Sequence, residues 1–298
     1  MLGEALSLGC ALAWGVSVIF FKRSEAASAQ AVNLFKNTTA CVLLGATLLA
    51  TGGHFPRDRS PEDWVRIIVS GVLGLAVADM LFLAALRRLG AGMMSIVDCT
   101  YAPFVVLFSV FLLGEKPGPS FVLGAALVVG GLFAASSGGG DTLRQAATLA
   151  RTHLGSVMLG VASIAIMALG IVIAKPVLDR SSLVETTFTR MAAGAVSLAI
   201  FVLLRRDRVE TFRVFLPQKV WINLVPAAFL GTYVSMLLWL GGMKYTSASV
   251  ASVLNQLSVV FTLILARVWL HEPLTTRRMI GGGASLAGAA VIWVGAAT

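Results

Sequence analysis

Residues 75–83 read LAVADMLFL, eight apolar residues around a single carboxylate, Asp79. The apolar window that holds them, residues 65–86, is long enough for a bilayer-crossing helix, which needs about 20 mostly apolar residues. An unpaired charge in hydrocarbon is costly, so Asp79 has to be paired, hydrated or protonated. The same pattern recurs along the chain. Nine further windows fall at 2–21, 31–51, 93–113, 121–136, 155–175, 185–204, 220–240, 247–270 and 279–296.

Composition agrees with that reading. Of 298 residues, 57% are hydrophobic and only 12% charged, against about 25% charged in soluble proteins. The mean hydropathy is +0.88. The net charge of +9 does not point to nucleic acid, because Lys and Arg sit mostly at the ends of apolar runs, where bilayer proteins carry them, and no basic stripe with interleaved aromatics is present. Cys10, Cys41 and Cys99 lie inside apolar runs with no metal or redox spacing. Glu4 precedes the first apolar run, and no cleavable signal peptide is expected.

The expected fold is all-α and integral to the membrane, with ten transmembrane helices arranged as two inverted five-helix repeats. A glycine run at 138–140 marks a linker, and Leu143, Ala146, Ala147 and Ala150 share a face that suits a short interfacial helix. The expected organisation is a first repeat at 1–136, a linker at 137–154 and a second repeat at 155–298. Two internal registers carry the repeat. One lays Phe35 on Phe188, Lys22 on Lys175 and Ala40 on Ala193. The other lays Glu115 on Glu272, Gly74 on Gly231, Leu81 on Leu238, Ser95 on Ser252, Asp98 on Asn255, Phe104 on Phe261, Gly124 on Gly281 and Gly131 on Gly288. Five helices per repeat is an odd number, so the halves must be upside down relative to each other, a common plan for secondary transporters with a midplane site.

The segments ALAWGVSVIFFKRS, NLFKNTTA, FLAALRRLGAGMMSIVDCTYAPFVVLFSVFLLGEKP and MKYTSASVASVLNQLSVVFTLILARVWLHEP resemble the ten-helix EamA branch of the drug/metabolite transporter superfamily, across essentially the whole chain. The resemblance implies a multi-pass permease of a bacterial cytoplasmic membrane that moves amino acids, other metabolites or drugs. The family often has an arginine in the second helix of each half. FTRMAAG keeps it at Arg190, whereas the first half reads FKNTTA, with Lys36 and Asn37. The positive-inside rule places both termini outside, whereas the resemblance implies cytoplasmic termini. Both readings put the termini on one side.

Counted from the hairpin near Leu89 and Gly90, Asp79 and Asp98 both lie roughly 12–16 Å deep at 1.5 Å per residue, and Lys36 reaches the same depth. Two acids and a base at one level suit substrate binding or proton coupling, since desolvation and like charge favour the neutral carboxyl and a nearby ammonium the charged one. The competing reading is a fixed ion pair that locks helices together. Polar stripes at helical spacing run along Ser95, Asp98 and Tyr101, along Ser252, Asn255, Gln256 and Thr262, and along Thr232, Ser235 and Trp239. They line a central cavity or bond helix to helix. Trp14 is a further lining candidate, and Arg190 a candidate for a substrate carboxylate. Pro103 should kink its helix just past Asp98. Glu115, Arg267 and Glu272 suit interface anchors.

The substrate-binding or coupling residues expected are thus Asp79, Asp98, Lys36, Tyr101, Asn255, Gln256, Trp239, Trp14 and Arg190. The function expected is secondary transport of a small organic solute by alternating access, with export of an amino acid or related metabolite first and proton coupling as a feature of it. Multidrug or lipophilic-cation efflux and metabolite import are the alternatives, and a structural membrane protein is the non-transporter alternative. No enzyme, cofactor or metal is expected: His54, His153 and His271 lie in loops, and neither His-Glu-x-x-His nor G-x-S-x-G occurs. The partners expected are the solute, the bilayer and protons, without nucleic acid.

Overall fold

The computed structural model describes residues 2–52, 59–114, 119–136, 143–245, 254–272 and 274–297. Glu115, Ser252, His54 and the start of the ninth window lie outside them. Among the described residues the secondary structure is all helical, as a bilayer solvent demands of an open chain, since backbone groups must be paired within each segment. The long helices are α1 (Leu2–Arg23), α2 (Ala29–Ala50), α3 (Pro61–Leu89), α4 (Ala91–Leu113), α5 (Pro119–Ser136), α6 (Leu143–Arg180), α7 (Leu183–Leu203), α8 (221–245), α9 (Leu254–Trp269) and α10 (Thr276–Ala297). Seven stretches are long and apolar enough to cross a membrane, in α1–α4 and α6–α8. Leu49, Phe111, Val122 and Ile222 are each at least 70% exposed, which fits a lipid-facing surface rather than a water-facing one.

Local chemistry explains most boundaries. Ser28 caps α2 by accepting from the Ala31 N–H at 3.2 Å, and Ser60 caps α3 by accepting from the Asp63 N–H at 3.2 Å, with Pro61 in the first turn. Gly90, at φ +80°, separates α3 from α4. From Leu143 the chain is helical and continuous with α6, so residues 143–150 belong to α6 and not to a separate short interfacial helix. Between Leu143 and Gly155 there is no proline or turn pair to stop the helix.

The two halves interlock. In the first half α3 and α4 pack against α6; in the second, α8 and α9 pack against α1. Repeat partners also meet each other, α2 with α7 and α5 with α10, alongside contacts of α3 with α7 and of α2 with α8. The α5–α10 contact is reciprocal in detail. A Cβ on Gly131 would lie 2.5 Å from the Gly281 carbonyl, and one on Gly288 would lie 2.5 Å from the Gly124 carbonyl. Gly131 and Gly288 are repeat partners, as are Gly124 and Gly281, so one pseudo-two-fold relation generates both contacts.

The same relation governs helix irregularities. Residues Val72–Ala78 of α3 and Phe229–Val234 of α8 are π-helical, at matching repeat positions. A break in α4 at Cys99 and Thr100 is matched by one in α9 at Leu257. Pro103 therefore contributes to the first break without being required for the second, where Val260 takes its place.

The glycine contact makes a direct prediction. Gly131→Val and Gly288→Val each force the α5 and α10 backbones apart, and overpacking of this kind costs about 1–3 kcal/mol. The expected result is a lowered Tm of the detergent-purified protein for both, whereas Gly283→Val, where a Cβ has open space, leaves Tm unchanged.

Candidate functional site

The first half builds its polar core around the π segment of α3. A π turn widens the helix and withdraws carbonyls from the usual ladder. Two asparagines one turn apart on α2 donate to carbonyls of this segment. Asn33 Nδ2 donates to the Leu75 and Ala76 carbonyls at 3.1 Å each, and Asn37 Nδ2 donates to the Leu75 carbonyl at 2.7 Å and to Asn33 Oδ1 at 3.1 Å. Asn37 Oδ1 accepts in turn from Lys36 Nζ at 3.1 Å. Lys36 then pairs with Asp79, the first residue after the π segment. Lys36 is 5% exposed and Asp79 6%.

Arg190 reaches the same region from α7. Its Nε donates to Ser70 Oγ at 2.8 Å, and its guanidinium lies where a Cβ on Gly74 would be, 2.7 Å from Nη2. A side chain at position 74 would therefore displace the arginine. No carboxylate lies within ion-pair distance of it among the described residues.

These groups surround a cavity of about 110 Å³ between the two halves, room for several waters or a small solute. All nine residues expected from the sequence line it: Trp14, Lys36, Asp79, Asp98, Tyr101, Arg190, Trp239, Asn255 and Gln256. Trp14 lies beside the Asp98 carboxyl and packs its ring 5.6 Å from Phe82. Tyr101 and Trp239 meet edge to face at 6.3 Å. Asp98 makes no ion pair among the described residues. Four buried polar atoms on the wall also lack a partner there: Tyr101 Oη, Arg190 Nη1, Thr232 Oγ1 and Asn255 Oδ1. Such atoms are uncommon in a folded interior and call for water or a ligand.

Several stripe residues do other work. Ser95 Oγ donates to the Gly92 carbonyl at 2.9 Å within its own helix. Ser235 faces the cavity, yet its hydroxyl donates at 2.7 Å to the Leu230 carbonyl, which also accepts the Ser235 backbone N–H at the end of the second π segment. Thr262 is buried against α1, with its N–H 3.4 Å from a Cβ on Gly15. The sequence reading missed Cys10, Met167, Met236 and Ser258 on the wall. A signal for three of them was present: by repeat register Met167 is the partner of Trp14, Met236 of Asp79 and Ser258 of Tyr101. Glu272, expected as an interface anchor, instead caps α4, accepting from the Ala91 and Gly92 N–H groups at 2.8 and 3.0 Å.

Polar contacts join the halves at both ends of the bundle. At one end, besides the Glu272 cap, Arg23 donates to the Trp269 carbonyl at 2.7 Å. At the other, Asp63 pairs with Arg180, and Arg59 with Glu185 at 2.7 Å. The ends are the two extremities of α3, about 43 Å apart for its 29 residues.

The Lys36–Asp79 pair is open to test. Asp79→Asn leaves a buried ammonium without its counter-charge, and the expected loss is about 3–5 kcal/mol, read as a fall in Tm. Lys36→Met combined with Asp79→Leu should recover most of it. Equal losses in the single and double variants would mean that the pair is not the stabilising unit.

Comparison with known proteins gives the following. The sequence model of the EamA-like transporter family matches residues 1–137 and 154–294. No curated protein matches. Twenty-four chains of solved structures do. One, titled only "Crystal structure of protein", superposes with a TM-score of 0.70 over 97% of this chain and 95% of its own at 19% identity, a likeness of fold.

Proposed function

The chain belongs to the EamA-like transporter family of the drug/metabolite transporter superfamily, and on that premise we propose that this integral membrane protein is a secondary transporter of a small zwitterionic solute, an amino acid or related metabolite. Ten transmembrane helices form two inverted repeats, 1–136 and 155–298, connected through residues 137–154, the later part of which begins α6. The solute binds in the central cavity, and the halves rock about it in alternating access. Export is the direction we put first, with import of a metabolite as the alternative.

One observation carries the solute class. Lys36 and Asp79 neutralise each other, which leaves Arg190 and Asp98 as a cation and an anion on the same wall without ion-pair partners among the described residues. A solute with one carboxylate and one ammonium complements that residue of charge. The carboxylate takes Arg190 Nη1, and the ammonium takes Asp98. Tyr101 Oη, Thr232 Oγ1 and Asn255 Oδ1 supply the remaining donors and acceptors. The contacts at the two ends support the rocking motion, because each set joins the halves and each can open while the other holds.

A second reading rests on Asp98 among Trp14, Tyr101 and Trp239. An acid among aromatic faces also suits a lipophilic cation, and then Arg190 is not needed.

The test is a thermal-shift screen of the purified protein against amino acids, nucleosides, sugars, organic acids and lipophilic cations, followed by counterflow in proteoliposomes. Amino acids should stabilise the protein, by about 2.7 kcal/mol at 100 times Kd. Arg190→Gln and Asp98→Asn should each abolish that shift and the flux. Stabilisation by lipophilic cations that survives Arg190→Gln but not Asp98→Asn would select the second reading. Stabilisation by organic acids alone would refute the zwitterion.

A further inference from the structure

The connection between α7 and α8 reads RRDRVETFRVFLPQK and takes no part in the cavity. It folds into a short helix, Arg208–Phe212, and a turn, Arg213–Phe215. Its inner side is fixed to the bundle. Thr211 and Val214 are buried, Phe215 packs 5.6 Å from Phe35, and the Trp221 indole N–H donates to the Val214 carbonyl at 2.8 Å.

Its outer side is a surface groove of about 480 Å³ lined by Arg208, Val209, Phe212, Arg213 and Leu216. Val209 and Leu216 are 65% and 62% exposed. Neither arginine has a carboxylate within ion-pair distance among the described residues. Asp207 is held by Arg205 at 2.8 Å, and Glu210 pairs with neither groove arginine. The groove lies where two apolar helices leave the membrane: Leu204 follows α7, and Ile222 stands in the first turn of α8, 83% and 75% exposed. Two guanidiniums beside exposed apolar side chains at this level match one class of molecule. A phosphate diester accepts paired N–H donors from arginine, and the carbons behind it need an apolar rim.

We propose that this groove binds the headgroup of an anionic phospholipid, with the phosphate held between Arg208 and Arg213 and the glycerol and first methylenes resting on Val209 and Leu216. The site stands apart from the solute cavity. It anchors the α7–α8 connection to a negatively charged leaflet, and the inner contacts with Phe35 and Trp221 carry that anchoring to α2 and α8.

The test uses the full-length protein in neutral detergent, titrated with phosphatidylglycerol, phosphatidylcholine or inorganic phosphate while Tm is followed. Phosphatidylglycerol should raise Tm saturably, and the other two should not. Basic side chains near an anionic surface contribute about equally. The midpoint should therefore rise about 5-fold in Arg213→Gln and about 30-fold in Arg208→Gln with Arg213→Gln, with lipid-free Tm unchanged. Substituting lysine at both positions should restore most of the affinity. Equal stabilisation by phosphatidylcholine would overturn the proposal, as would a wild-type titration in the double variant. A response to inorganic phosphate matching that to phosphatidylglycerol would place a free phosphate in the groove instead of a lipid. If the double variant does not fold, Arg213→Gln alone decides, and an unshifted midpoint there overturns the proposal.

Discussion

Inside a bilayer no water is at hand to pair a polar group, and the Lys36–Asp79 pair is where this protein meets that constraint most severely. Both side chains are almost completely buried, and the pair joins α2 to α3. It is the end of a longer chain of donors and acceptors: carbonyls of the π segment, two asparagines that bond them, and a lysine that bonds to one asparagine and to the acid. Removal of any member leaves its neighbour unsatisfied in a medium of low dielectric constant. The ladder binds the segment in which α3 departs from regular geometry, and Gly74 of that segment lies under the guanidinium of Arg190. The cavity wall therefore rests on this ladder.

Mechanical and electrostatic features follow different rules across the repeat. The π segments, the breaks in α4 and α9 and the paired glycines of α5 and α10 all recur at matching positions. Charges do not. Asp79 faces Met236 in the register and Asp98 faces Asn255, while Arg190 corresponds to Asn37. On the transport reading proposed above, the backbone irregularities serve motion in both halves, whereas the charges serve recognition of a solute, for which one copy of each is enough.

Much of this was legible in the sequence, for physical reasons. Long apolar windows have few alternatives, so most of the described helices lie within a few residues of their windows, and intramembrane charges are rare enough to mark themselves, as Asp79 did. The π segments were not legible, because VLGLAVA carries no side chain that distinguishes a wide turn from a regular one. The cap formed by Glu272 was missed because a carboxylate after a membrane helix reads equally well as a surface anchor. The continuation of α6 back to Leu143 was missed because alanine-rich polar sequence near a glycine run suits a linker and a helix alike. Met167 and Met236 carry no chemical mark of a site. Only the repeat register, applied to Trp14 and Asp79, would have found them.

The pairing of Asp98 with Asn255 in the register has an energetic consequence. If the halves were identical, exchanging their conformations would turn one end state into the other, and the two would be isoenergetic. Here that exchange does not return the same molecule. On the alternating-access reading proposed above, the empty protein thus has a preferred resting side, set by a few polar differences between its halves.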